Sequence, residues 1–263
     1  VTLVLGLAAL GLGVVSLFLG YAALSPNDVL HGLMGQGGTA AIVVQEIRLP
    51  RALLAMTIGA ALGMGGAALQ GLMRNPLAEP GVVGVSAAAS LGAVGALYYG
   101  LAALWAYALP AMAMAGAGAA TLFLFWVSAR GGILSLILAG VAVSSLCAAL
   151  TSVALNLSPN AYAASEIVYW LLGSLKDRSM QDVALAAPFV LAGCAVMLTF
   201  GRHLDALALG DDAARSLGVD VGRLSAWIVA GVALSVGASV AAAGAIGFVG
   251  LIVPHILRPL VGH

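Results

Sequence analysis

Long, unbroken apolar runs limit what this chain can fold into more than any other feature. Residues 52–73 read ALLAMTIGAALGMGGAALQGLM and contain no Asp, Glu, Lys or Arg. The run does not alternate in strand fashion, and it is long enough for the roughly 20 residues a helix needs to cross a hydrocarbon core. More runs of this kind follow, separated by short charged or proline-containing stretches. The 263 residues are 62% hydrophobic and 8% charged, with mean hydropathy +1.12; soluble domains carry about 25% charge. In lipid, only helices and closed barrels pair all their backbone groups internally. Continuous runs select helices. The expected fold is all-α, a polytopic membrane helix bundle with roughly seven to nine spans and no large soluble domain.

The punctuation places spans at about 1–24, 50–73, 84–100, 103–129, 133–157, 183–201, 224–243 and 246–260, the last broken by Pro254. SPNDVLHGLMGQGG opens a polar loop after the first span, and RNPLAEPG is a turn whose two prolines stop the second. Residues 158–182 suggest an interfacial helix anchored by Tyr169 and Trp170. Residues 1–24 are too long for a signal segment and read as a retained span, while the start at Val1 reads as trimmed or partial. Gly59 with Gly63, Ala61 with Gly65, and Gly92 with Ala96 repeat a small-xxx-small spacing that lets helix backbones approach.

Several function classes lose support. Net charge is zero, so no long-range field points to nucleic acid. There is no GxxxxGK[ST], and the only lysine is Lys176, in GSLKDRS. Cys147 and Cys194 sit in apolar runs and read as small core residues. No His, Glu or Cys cluster has metal-ligand spacing, and His255 reads as structural. Ser144 and Ser145 have no histidine nearby in sequence, which leaves intramembrane proteolysis little support. Every acidic residue falls in a loop or at a span end, which weighs against an ion-coupled secondary carrier, a class that usually buries its coupling charge.

Two charged stretches remain. In RLPRALLA (48–55), Arg48 and Arg51 stand three apart at the mouth of an apolar run, with Pro50 suited to a first helical turn. Spans counted from a cytoplasmic start put Arg74, Arg130, Arg202, Arg215, Arg223 and Arg258 inside, and Arg48, Arg51, Lys176 and Arg178 outside. Positive charge at a helix N-terminus opposes the macrodipole. Snorkelling at the interface is one reading; the placement tilts toward contact with an acidic partner on the outer face. In the second stretch, 202–223, Asp205, Asp211, Asp212, Arg215, Asp220 and Arg223 alternate with Leu and Ala. It reads as two short helices broken at Gly210 and Gly218, and either as a solvated connector or as a docking element with exposed leucines.

The region from RLPRALLAMTIGAALGMGGAALQGLMRNPLAEP onward resembles the signature of the FecCD family, permease subunits of ABC importers for iron–siderophore complexes, haem and cobalamin. LILAGVAVSS (136–145), LALGDDAARSLGVDVGR (207–223) and AGAIGFVGLIVPHILR (243–258) follow in the family's order. The resemblance implies a type II ABC importer permease fold. About eight of its ten spans fall within 1–263, and the chain reads as a C-terminally truncated single transmembrane domain. It implies no catalytic residue and no bound cofactor: ATP and Mg belong to partner ATPase subunits. A periplasmic or lipid-anchored substrate-binding protein and a second permease, in a homodimer or paralogous heterodimer, complete the assembly in a bacterial cytoplasmic (inner) membrane. Arg48 and Arg51 would dock the binding protein. Asp211, Asp212, Arg215 and Gly218, within a cytoplasmic coupling segment at 203–222, would engage the ATPase. Asn75 and Leu77 match one cytoplasmic gate, Gly132 and Ile133 a second, and the span after them would line the pathway. The cargo would be a ferric siderophore or haem, with cobalamin as the alternative on the same fold.

Overall fold

A computed structural model describes residues 1–127 and 133–261. Among these residues the regular elements are all helical. α1 (Thr2–Phe18) leads to a loop carrying α2 (Pro26–Leu33). α3 (Thr39–Met73) and α4 (Val85–Tyr98) follow, then a single turn at Leu101–Leu104, α5 (Ala108–Val127) and α6 (Ile133–Asn156). The last five are α7 (Ala161–Leu171), α8 (Met180–Ala208), α9 (Asp211–Ser216), α10 (Val221–Ala243) and α11 (Val249–Val261). α3, α5, α6, α8 and α10 are long and apolar enough to cross a membrane; α1, α4 and α11 are shorter apolar helices. Together they fall on the runs expected from the sequence. The chain is a multi-pass membrane protein.

α4 orders its neighbours. Its Gly92 lies against Met112 of α5 and its Ala88 against Gly116, so α4 and α5 are antiparallel. Gly140 of α6 lies against Val82 and Val83, ahead of α4, while Tyr98 at the far end of α4 donates its hydroxyl to Leu157 O at 3.1 Å. α6 therefore runs parallel to α4 and antiparallel to α5.

α10 is the centre: 78% of its most apolar window is buried, against 22% for α6. Its Gly, Ala and Ser residues let other backbones approach, as small residues do between helices in lipid. A Cβ on Gly193 of α8 would stand 2.5 Å from Gly231 O, and one on Gly237 would stand 2.8 Å from Ala117 Cβ. The buried hydroxyls of Ser235 and Ser239 donate at 2.8 Å to Gly231 O and Ser235 O, so they bring no unpaired polar atom into the core. α3 and α11 cross most closely at Gly66, where a Cβ would stand 1.8 Å from Gly250 O. Gly59, by contrast, faces open space, and Gly63 meets only the Val253 side chain of α11 at ordinary contact distance, 3.4 Å, so one member of the GxxxG pair borders this crossing and the other does not.

The structure differs from the sequence reading in four places. Helix α3 does not start at Pro50; it begins at Thr39 and passes through a π-helical stretch, Val43–Arg48. Pro50 lacks an N–H and crowds the preceding turn, and the wider i→i+5 winding accommodates both effects. The loop after the first span holds α2, closed by a capping box: Asp28 N donates to Ser25 Oγ at 3.2 Å and Ser25 N to Asp28 Oδ2 at 3.0 Å. The Ser25 hydroxyl and then its N–H hold the Asp28 carboxyl below the usual range. On α7, Tyr169 is exposed but Trp170 is buried, because neighbours on a helix point about 100° apart. Finally, α8 continues to Ala208, because residues 202–209 contain no glycine or proline. Residues 202–223 thus hold the end of α8, one short helix and the start of α10, not two short helices.

Candidate coupling and gating site

Leu49–Met73 rises about 37 Å at 1.5 Å per residue, more than the roughly 30 Å hydrocarbon core. Arg48 and Arg51 therefore sit at one membrane face and Arg74 at the other. The structure separates the first two. Arg51 is exposed, whereas Arg48 is 3% exposed and turns inward. Its Nη1 donates to Leu17 O at 2.8 Å and its Nη2 to Ala22 O. The expectation that both arginines face a partner is corrected for Arg48: its guanidinium is committed to carbonyls at and beyond the end of α1. There a cation suits the macrodipole, the reverse of the penalty expected at a helix start. Arg48→Ala should leave these carbonyls unpaired and lower stability by about 2–3 kcal/mol, measurable by thermal unfolding in detergent.

At the other end of α3, the chain turns sharply. Arg74 takes the left-handed conformation, φ 47° and ψ 39°, while Asn75 N donates to Gln70 O at 3.1 Å. Glycine usually fills such a cap, since a Cβ there costs of order 1–2 kcal/mol. Asn75 Oδ1 accepts from Leu77 N at 2.9 Å and stiffens the turn, and Leu77 points outward, exposed. Ala78 and Pro80 are buried, and Ser144 of α6 donates its hydroxyl to Gly81 O at 2.9 Å. The turn is thus tied to the helix expected to line the pathway. Ile133, at the start of α6, packs against the main core; Gly132 lies outside the described residues.

Beside this turn sits α9. Gly210 (φ 107°) precedes it and Gly218 (φ 85°) follows it, each in a backbone region that other residues adopt at a cost. Asp211 and Asp212 occupy its first turn and Arg215 its last, each with the sign the helix ends favour. Val219 N donates to Ala214 O at 2.9 Å and Gly218 N to Arg215 O at 2.9 Å, which closes the C-terminus in a Schellman-type cap. Ala214 is buried, while Leu209 and Leu217 are 70% and 65% exposed at the two ends. Beyond it, Asp220 caps α10 by accepting from Arg223 N at 3.0 Å.

The turn after α3 and α9 are joined directly: Arg74 Nη2 lies 2.6 Å from Asp211 Oδ1. One turn earlier, buried Gln70 accepts from Arg258 Nη2 of α11 at 3.0 Å. Neither Arg74 nor Gln70 stood out in sequence. Arg74 counted only as one inside charge; the available signal was an arginine in a position that favours glycine. Gln70 is an amide inside an apolar run, and nothing local names its partner.

The fold and this polar end define a multi-pass helical membrane protein with a turn-and-helix assembly on one face. The FecCD transport family profile matches residues 7–263, and the chain belongs to that family. It is 41% identical over 227 residues to the cobalamin import system permease protein BtuC of Halobacterium salinarum, a match over 85% of this chain and 60% of that protein. It is 40% identical over 220 residues to the Fe(3+) dicitrate transport system permease protein FecD of Escherichia coli, over 84% of this chain and 68% of that one. A solved structure of a metal-chelate type ABC transporter in an inward-facing conformation superposes with TM-score 0.89 at 30% identity, over 98% of this chain and 80% of that chain. This chain thus spans less than two thirds of the length of BtuC from H. salinarum.

Proposed function

We propose that this chain is the membrane subunit of an ATP-driven importer for an iron chelate, a ferric siderophore or haem, in a bacterial cytoplasmic membrane. One observation carries the reading: a short helix with positive-φ glycines at both ends and an exposed leucine on each flank stands beside the turn that closes α3. Such a helix can enter a cleft on a soluble partner with its leucines and charges, and move as a unit about Gly210 and Gly218. The partner is the ATPase, which binds ATP and Mg; this chain performs no covalent step. Leu77 and Ile133 belong to gates on the same face, and α6, with its largely exposed apolar surface, lines the pathway against a second permease copy. Family membership and the transporter likeness support this assembly.

On the opposite face, Arg51 contacts an acidic site on the substrate-binding protein. Arg51→Glu should weaken that contact about tenfold or more at low salt, and less at high salt, through like-charge repulsion. Expression should stay normal, because Arg51 is exposed. Binding titrations at two salt concentrations measure this, and unchanged affinity at low salt removes Arg51 from the dock.

Cobalamin is the second reading, favoured by the 41% identity to a cobalamin permease. ATP-dependent uptake of labelled ferric chelates, haem and cobalamin into vesicles, with the ATPase and binding protein present, tests both. Uptake that persists without ATP would indicate an ion-coupled carrier instead.

A further inference from the structure

We infer that Arg74 and Asp211 form the link by which movement of α9 reaches the gate turn; this rests on α9 being the ATPase-coupling helix. The two residues are 137 positions apart, yet their side chains meet at 2.6 Å. Three features favour a transmitting role over a stabilising one.

First, the pair is 44% and 39% exposed, and pairs that open contribute little to folding. Second, Arg74 holds a left-handed backbone conformation that glycine would adopt without strain. Backbone strain of this kind clusters where a side chain has work to do, and here the arginine side chain reaches Asp211. Third, each partner sits where displacement is passed on. Asp211 is the first residue of α9, directly after Gly210, with open space around both flanking glycines. Arg74 begins a turn pinned by Asn75 N to Gln70 O and by Leu77 N to Asn75 Oδ1. A shift of α9 therefore pulls on the base of a stiff turn that carries Leu77.

A docked ATPase would strengthen the link. Covering this face excludes water and screening ions, and the attraction between the charges rises as the local dielectric falls. The pair would be firmest when the ATPase moves α9.

The test uses the assembled transporter, with ATPase and binding protein, reconstituted in vesicles. It reads chelate molecules imported per ATP hydrolysed, together with ATPase capture and thermal stability. Arg74→Gly removes the charge and relieves the strained cap. It should leave stability equal or higher and capture intact, yet lower the import-to-ATP ratio at least fivefold. Arg74→Lys should keep more than half of the ratio. Arg74→Asp and Asp211→Arg should each lose it, and the two together should recover at least half, since aspartate tolerates the left-handed cap. A wild-type ratio in Arg74→Gly with capture intact overturns the link and leaves the coupling role of α9 standing. A charge swap that recovers nothing also overturns it. Failure of α9 itself would read differently, as undisturbed ATPase capture when its flanking leucines are replaced.

Discussion

Gly66→Val should give no monodisperse protein in detergent. A Cβ at this position would stand 1.8 Å from Gly250 O and 2.5 Å from Gly250 C, so the obstacle is backbone and no rotamer relieves it. α3 and α11 must separate, and α11 would lose both the crossing and the Gln70–Arg258 hydrogen bond. The cost should reach at least about 3 kcal/mol, the upper part of the range for overpacked interiors. Gly59→Ala on the same helix is the control. Nothing lies within 4 Å of a Cβ there, and replacing a helical glycine by alanine stabilises by roughly 0.5–1 kcal/mol. Fluorescence-detected size exclusion after a heating series separates the two variants. A well-behaved Gly66→Val protein melting near wild type would mean that α11 does not cross α3 here.

Replacing both Leu209 and Leu217 by Asp should abolish capture of the ATPase while leaving the fold intact. Both side chains are largely exposed, so little native packing is lost. In a cleft, each leucine would bury its apolar surface, a contribution of about 1.5–3 kcal/mol. Losing two corresponds to roughly 10²–10⁴-fold in Kd. Co-purification with a tagged ATPase measures it, with thermal stability as the control. Wild-type yield of ATPase would remove α9 from the coupling surface.

The spans were legible because hydropathy and helix punctuation are local properties. Residues 52–73 declare a helix wherever the chain goes, and Pro76 and Pro80 declare its end. Ser25 and Asp28 also carried a readable capping signal, three apart ahead of an apolar stretch, although the segment was expected only as a polar loop. Gly218 was legible as a break. The separation of Arg48 from Arg51 was not, because the end of α1 and the loop after it supply Arg48 with carbonyl partners from elsewhere in the chain. Nor does sequence separate Gly66 from Gly59 and Gly63: all three are small residues on one apolar helix, and only the path of α11 selects the first.

By itself, the amino-acid sequence determined that this is a helical membrane protein, where its spans lie, and which family it resembles. Each helix in lipid pairs its own backbone groups, so length and hydropathy suffice for that. Tertiary structure alone decided which arginine is exposed, that Arg74 meets Asp211, and where α3 and α11 touch. Along Leu49–Met73 apolar residues are spread almost evenly around the helix, so no hydrophobic stripe marks where α11 crosses it. Close packing and a few polar pairs set each helix's rotation instead.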